Sequence, residues 1–312
     1  MPLELGYLLP TREMIMSGRN ETSGMLELAE RAEKLGFDGI WIGDSLTARP
    51  RHEPLAMLAA VAARVPRVTV GTAVLLPALR NPVLLAHQAA TIDRISEGRL
   101  VLGVGIARDV PSIRAEFDAA GVPFEKRVGR MMEGLSLARA LWSGEPVDWD
   151  GRWTLKGATV GPTPHRKGGP LLWAAGALPP SLERTGKFFD GWMPNEGNPE
   201  AWARGWREVC RIASEAGRDT GKLTGSMYLT LSLDDDVAAA NARLDRYLES
   251  YYGAPAVALR KRQECFAGAP SAVAEYLAGY ARAGAHHLVL RFVGDHVRAM
   301  EQVSKARAAI GR

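Results

Sequence analysis

Short, almost uninterrupted apolar runs return along this chain, each followed by a stretch of helical spacing, and that alternation restricts the fold more than any other feature. Leu3 to Leu9 has strand length and stops at Pro10. Met25, Leu28, Ala29, Ala32 and Leu35 then recur at helical spacing, with Glu27, Glu30, Arg31, Glu33 and Lys34 on the other face. Thr22 or Ser23 supplies a helix cap, and Gly36 stands where a helix C-terminus favours a left-handed residue. A second apolar run, Phe37 to Gly43, completes a β-α-β unit. The unit repeats through an Ala-rich helix from Leu55 to Arg64 and a β-branched run from Val68 to Leu75. Asn81 caps a further helix with Pro82 in its first turn and Gly98 after its end, and Leu100 to Gly105 follows as a fourth strand. Runs apolar on both faces belong to a parallel sheet buried under helices.

The middle of the chain departs from this rhythm. Glu125 to Trp142 reads as an amphipathic helix, and Asp148 to Trp153 reads as a hairpin around the Asp150-Gly151 turn. Leu171 to Ala175, Gly191 to Met193, Ser226 to Leu233 and His287 to Phe292 supply strands five to eight. Residues 234–268 form a polar, Tyr-rich insertion before the last unit. The expected fold class is α/β, a (β/α)8 TIM barrel with insertions, in one domain over residues 1–312. A doubly wound open sheet would carry a G-x-G-x-x-G turn after its first strand, and Leu8-Leu9-Pro10-Thr11 does not.

Composition narrows the function classes. With 46% hydrophobic and 24% charged residues, the chain has the makings of an ordinary core. A net charge of +4, without basic runs, argues against nucleic acid as a partner. Cys210 and Cys265 have no C-x-x-C spacing, so neither a disulfide scaffold nor a cysteine zinc site is expected. Six histidines with no H-x-H or H-E-x-x-H disfavour a metal-dependent hydrolase, and no G-x-S-x-G elbow is present. Met1-Pro2-Leu3-Glu4-Leu5 does not begin a signal peptide, and no apolar run is long enough for a membrane span. The expected location is cytoplasmic.

In a barrel of this kind chemistry sits on loops at the carboxyl ends of the strands. The loop after strand two, Gly43 to Pro54, holds Asp44, Ser45, Arg49, Arg51 and His52. His52 is a candidate proton donor and the arginines candidate anion grips, while Asp44 as a simple helix cap is the plainer alternative. After strand four, Ile106, Ala107 and Arg108 follow two glycines that let backbone approach a ligand or simply pack closely. After strand five, Ala175, Gly176 and Ala177 precede a helix, which makes a phosphate cradle or an ordinary helix start. Arg291 lies within the apolar eighth strand and needs a partner, either a ligand anion or a barrel carboxylate such as Glu4. His286 and His287 point to opposite faces of that strand and cannot share a metal.

Several stretches together resemble the bacterial luciferase-like monooxygenase family of FMN- or coenzyme F420-dependent oxidoreductases. They are Val70 to Val74, Arg80-Asn81-Pro82, Asp93 to Arg99, Leu102 to Gly105, Leu35 to Trp41, Phe189 to Trp192 and Gly284 to Leu288. The resemblance implies the luciferase-like barrel, a non-prolyl cis peptide at Ala73–Val74 behind the ring of the cofactor, and phosphate contacts at Ala175, Gly176 and Ala177. Ile106, Ala107 and Arg108 would assist; read from the residues themselves, Arg49 and Arg291 are the candidates to face substrate. Many members carry Asp-His or Glu-His after strand two. Here the pair is Asp44-Ser45, so His52 is the substitute expected for the missing histidine, with Asp44, Ser45 and His52 as the catalytic set.

That departure tips the expectation toward reduced FMN and a two-component monooxygenase acting with oxygen on a small organic substrate, served by a separate flavin reductase. The alternatives are a coenzyme F420-dependent reductase or dehydrogenase working by hydride transfer, and a non-catalytic flavin-binding barrel. The resemblance also implies a homodimer formed through the second and third helices. The Tyr-rich insertion is read either as a lid over substrate or as a helical decoration.

Overall fold

The computed structural model describes residues 2–310. Its strands are β1 (Glu4–Leu8), β2 (Gly39–Ile42), β3 (Thr69–Leu75), β4 (Leu100–Val104), β5 (Val147–Asp150), β6 (Thr154–Ala158), β7 (Leu171–Ala174), β8 (Gly191–Trp192), β9 (Thr224–Leu233), β10 (Cys265–Gly268) and β11 (His287–Phe292). β5 and β6 form an antiparallel hairpin around the expected Asp150-Gly151 turn. The remaining strands run in the order β10-β9-β11-β1-β2-β3-β4-β7-β8, and β8 pairs again with β9. Without β10, that order is a cycle of eight strands, the (β/α)8 barrel expected from the repeating units.

The chain clusters into two compact units. The first comprises the residues to Leu9, Glu27–Trp41 and those from Trp173 onward. Here β1 lies parallel between β2 and β11, with Gly6 level with both Gly39 and Val289. Glycine is required at position 6, because a Cβ there would lie 2.2 Å from the indole nitrogen of Trp41 and 2.6 Å from Nε2 of His287. Two large rings fill the space that this leaves: Trp41 and Trp173, with centroids 5.2 Å apart. Trp192 on β8 stacks on Trp202, which stacks in turn on Trp206.

The insertion between β9 and β11 is more ordered than its polar composition suggests. It contains a helix at Val237–Tyr252, a short helix at Ala256–Arg260 and β10, which pairs in parallel with the last residues of β9. Leu244, Leu248, Leu259 and Val293 form its apolar centre, with Tyr247 and Tyr252 packed against them. The i, i+4 spacing of the two helical leucines explains why this segment folds onto the strands.

The second unit comprises Pro10–Leu26 and Ile42–Leu172. Glu53 caps the helix Pro54–Arg64 through the amide of Ala56, and Asn81 caps Pro82–Ile95 through the amides of Val83 and Leu84. The β3–β4 register runs Val70↔Leu100, Gly71↔Val101 and Thr72↔Leu102, then shifts so that Leu75 meets Val104. The Ala73–Val74 peptide, within the shifted segment, is cis as expected. Ala73 and Val74 are half-buried, whereas Thr72 and Leu75 on either side are buried.

Candidate active site

In the second unit, the loop after β2 is fixed by two carboxylates. Asp44 is 1% exposed and accepts from both terminal nitrogens of Arg80, at 2.5 and 3.1 Å, and from the amide of Leu76 at 2.9 Å. Arg80 also reaches Glu53 at 3.0 Å. Both oxygens of Asp44 are thus engaged, and the carboxylate ties the loop after β2 to the residue that follows β3. The helix-cap alternative falls to Glu53, not Asp44.

Ser45 donates to Oε1 of Glu116 at 2.6 Å, and the same oxygen accepts from the amides of Leu46, Thr47 and Ala48 at 2.5, 3.0 and 3.2 Å. Three successive amides wrapped around one carboxylate oxygen form an anion nest filled by the protein itself. Oε2 of Glu116 is buried and has no hydrogen-bond partner among the described residues. The Ser45 hydroxyl accepts from the amide of Arg49, whose carbonyl receives Nε of Arg51. The Arg51 guanidinium lies against Gly43, where a Cβ would come within 2.4 Å of it. His52 is half-buried, with Nδ1 at 3.4 Å from the Thr11 carbonyl and Nε2 at 3.0 Å from that of Asn20. Asp44, Ser45 and His52 therefore each engage a different partner.

At the end of β4 the backbone turns through Ala107 at φ +60°, a left-handed conformation that a residue with a Cβ rarely adopts. Arg127 donates to the carbonyl of Ile106 at 3.0 Å while lying 3.7 Å over the ring of Phe124. Arg130, one turn along the helix Arg127–Leu141, donates to the carbonyl of Ala78 at 2.8 Å and lies over Trp153. Arg108 is exposed. Arg127 also donates to the nearby Phe124 carbonyl at 3.1 Å; neither arginine was singled out by sequence reasoning, because the carbonyls of Ile106 and Ala78 are distant in the chain.

In the first unit, Ala175, Gly176 and Ala177 precede the helix Pro179–Phe188 and are all half-buried. Gly176 has φ +98° and passes its carbonyl to the indole N–H of Trp192 at 2.9 Å. The Ser181 hydroxyl sits where a Cβ on Gly176 would fall, 2.9 Å from it, and receives the Arg184 guanidinium at 3.1 Å. Burial pulls the Arg184 pKa below its ordinary value. Small residues, a hydroxyl and a guanidinium gathered at a helix start suit an oxyanion. The Ser-x-x-Arg spacing in that first turn was the available signal for Ser181 and Arg184.

Arg291 is 1% exposed and does not pair with Glu4, which is held by His287. It donates to Thr230 Oγ1 at 2.7 and 3.1 Å, to the Tyr252 hydroxyl at 2.8 Å and to Gln263 Oε1 at 2.8 Å. The rings of Tyr228, Tyr247, Tyr251 and Tyr252 surround it at 5.0–5.5 Å. Glu4 lies level with His287 in the β1–β11 register and pairs with it, four residues short of Arg291. His286 accepts from the Gly225 amide and His287 from the indole of Trp41, as opposite-facing side chains should.

Comparison with known proteins places this chain. The family model for luciferase-like monooxygenases matches residues 3–311. An F420-dependent glucose-6-phosphate dehydrogenase of Kineococcus radiotolerans is 31% identical over 97% of this chain and 95% of its own. A namesake from Nocardia farcinica is 28% identical over 95% and 94%. Among solved structures, an F420-dependent secondary alcohol dehydrogenase in complex with an F420-acetone adduct superposes with a TM-score of 0.84 at 21% identity, covering 99% of each chain. A monooxygenase from Streptomyces bottropensis gives 0.80 at 24% identity, covering 97% of this chain and 98% of its own. The chain belongs to the luciferase-like monooxygenase family, and it is an oxidoreductase of that family.

Proposed function

We propose that this chain is a coenzyme F420-dependent oxidoreductase that moves hydride between the deazaflavin and a small organic substrate. The observation that carries this reading is the near full-length match to relatives named as F420-dependent dehydrogenases. It replaces the FMN monooxygenase expected from the missing Asp-His pair, since that expectation rested on one dipeptide and the match spans the chain.

The residues present suit such a coenzyme. The half-buried Ala73–Val74 segment, in the same unit as Asp44, Glu116 and His52, offers a flat apolar rest for its ring. When bound, the deazaflavin supplies a two-electron hydride carrier. The protein's part is to orient it and to manage the accompanying proton. Asp44 and Glu116 act here as positioning residues, Asp44 through Arg80 and Leu76, Glu116 through the amides of residues 46–48. His52 is the proton carrier of this reading, giving up the Asn20 carbonyl to reach substrate oxygen.

Anaerobic titrations of the purified protein with coenzyme F420 and with reduced FMN test the proposal. Tight binding of F420 and weak binding of FMN, followed by bleaching of the oxidised coenzyme with an alcohol or sugar phosphate panel, is the expected outcome. Tight FMN binding with substrate-dependent oxygen uptake would sink it. His52→Gln should lower kcat by about 10²-fold or more if the histidine carries the proton.

A further inference from the structure

A cavity of about 380 Å³ opens in the first unit between the start of the helix Pro179–Phe188 and the helix Pro199–Glu215. That volume lies in the range of small-molecule sites. Ala177, Leu182, Trp192, Ala201 and Gly205 give it a mostly apolar lining. Trp192 has its N–H committed to the Gly176 carbonyl and one face to Trp202, so it offers the cavity only apolar ring. Small residues make the space: Gly205 clears the tip of that indole, which a Cβ would approach to 2.4 Å, and Ala201 lies one turn earlier on the same helix face.

The charged groups at the cavity are Glu196, Arg204 and Glu208. Arg204 and Glu208 stand four residues apart on one helix, where opposite charges ordinarily pair. Here they do not. Glu208 gives both oxygens to Arg211, at 2.7 and 2.8 Å, and Arg211 also reaches Glu215. Glu196 has a partner of its own. Arg204 is exposed and makes no ion pair among the described residues. The cavity thus joins an apolar floor to one uncompensated cation at its rim, a combination that complements an amphipathic anion.

We propose that this cavity binds a small aliphatic carboxylate, its chain laid against Trp192 and Leu182 and its head at Arg204. The site shares no residue with the ring rest at Ala73–Val74 or with Asp44, Glu116 and His52, and it does not rest on the F420 reading. It touches the family's expected phosphate segment at Ala177 alone.

Calorimetric titration of the purified protein with butyrate, hexanoate and octanoate tests the site. Affinity should rise about two- to fourfold per added methylene as the chain is buried. Octylamine, of equal length and opposite charge, should bind more weakly than octanoate. Arg204→Gln should weaken octanoate by about three- to fivefold, the range of one exposed ion pair, and Arg204→Lys should recover part of the loss. Ala201→Leu should fill the space and cost about 10-fold or more in octanoate affinity. If that variant fails to fold, Arg204→Gln, which alters only an exposed side chain, decides the matter. Affinity indifferent to chain length, octylamine binding as tightly as octanoate, or octanoate binding untouched by Arg204→Gln each overturns the proposal. No octanoate binding at about 10 mM overturns it as well. Displacement of octanoate by coenzyme F420 would make the cavity part of the cofactor's own site and overturn it too. Octanoate affinity unchanged by added F420 supports a separate site, whether or not the coenzyme binds.

Discussion

Trp41 donates its indole N–H to Nε2 of His287 at 3.0 Å, and both side chains are fully buried. That bond leaves the proton of the neutral imidazole on Nδ1, which faces Glu4 at 3.0 Å. Glu4 and His287 open β1 and β11, so the His287–Glu4 pair sits at the amino ends of those strands. In barrels that end serves stability and the carboxyl end serves chemistry.

His287→Phe should therefore damage stability and spare the site. It keeps ring volume but strands the buried Trp41 N–H, at a cost of about 1–3 kcal/mol. Chemical denaturation should show the loss, while coenzyme affinity stays within about twofold. A large loss of affinity with normal stability would show that this end of the barrel takes part in the site.

The same chain predicts a dependence on pH. The hydrogen bond from His287 holds the Glu4 carboxyl below its ordinary pKa, against the opposing effect of burial, with smaller help from Arg307. A carboxylate whose folded pKa is lowered stabilises the protein above its ordinary pKa, and that contribution disappears as pH falls through the lowered value. Wild type should thus melt higher than Glu4→Gln at neutral pH, and the gap should close in acid. The Glu4 side chain is 56% exposed, so the gap should be small. A gap that widens in acid would reverse the assignment.

The repeating units made most of the barrel legible, because strands buried on both faces leave apolar runs that no loop imitates. β8 shrank to Gly191–Trp192 and β10 went unseen, since Cys265-Phe266-Ala267-Gly268 is too short and too mixed to announce a strand. At the site, backbone features were readable: the glycine turn at Gly176 and the cis bond at Ala73–Val74 lie where family motifs stand. Side-chain partnerships were not. Asp44 meets Arg80 across 36 residues and Ser45 meets Glu116 across 71, and nothing in local spacing records either pairing. Arg291 shows the limit in another way. A buried charge needs partners, and within the protein three neutral oxygens and four tyrosine rings supply them instead of the Glu4 carboxylate.

Removing both carboxylate oxygens at position 44 should be costly. Asp44→Ala leaves the Arg80 guanidinium, 13% exposed, with only Glu53 as a charged partner and strands the Leu76 amide. Breaking such a buried pair costs about 3–5 kcal/mol. Double substitution with Arg80→Met should recover part of the stability, and a double-mutant cycle measures the coupling. Additive losses would show that the pair does not hold the loop.

Arg291→Lys retains the charge but not the fork. Lysine cannot reach Thr230, Tyr252 and Gln263 together, so the 234–268 insertion should loosen before the barrel does. Hydrogen exchange should rise in the helix Val237–Tyr252 while β1 to β4 stay protected, with a global loss of about 2–3 kcal/mol. Uniform protection across both regions would show that the arginine is not the anchor of the insertion.

Ala107 gives the sharpest separation of stability from binding. Its φ of +60° places a Cβ in the left-handed region, which costs an L-residue about 1 kcal/mol relative to glycine. Ala107→Gly removes that penalty in the folded state but adds chain freedom in the unfolded state, so the net change in stability should be within about 0.5 kcal/mol. Ala107→Val adds β-branching where the backbone tolerates it least, and should destabilise by about 1–2 kcal/mol or force the turn open. The two variants diverge in coenzyme binding for the same reason. With glycine the turn keeps its shape, and the Ile106 carbonyl stays within reach of Arg127. With valine the turn relaxes toward extended geometry and that carbonyl moves away. Affinity for intact coenzyme should therefore survive Ala107→Gly and fall by about 10-fold in Ala107→Val. Equal binding by both variants would show that the left-handed turn shapes the backbone here without shaping the site.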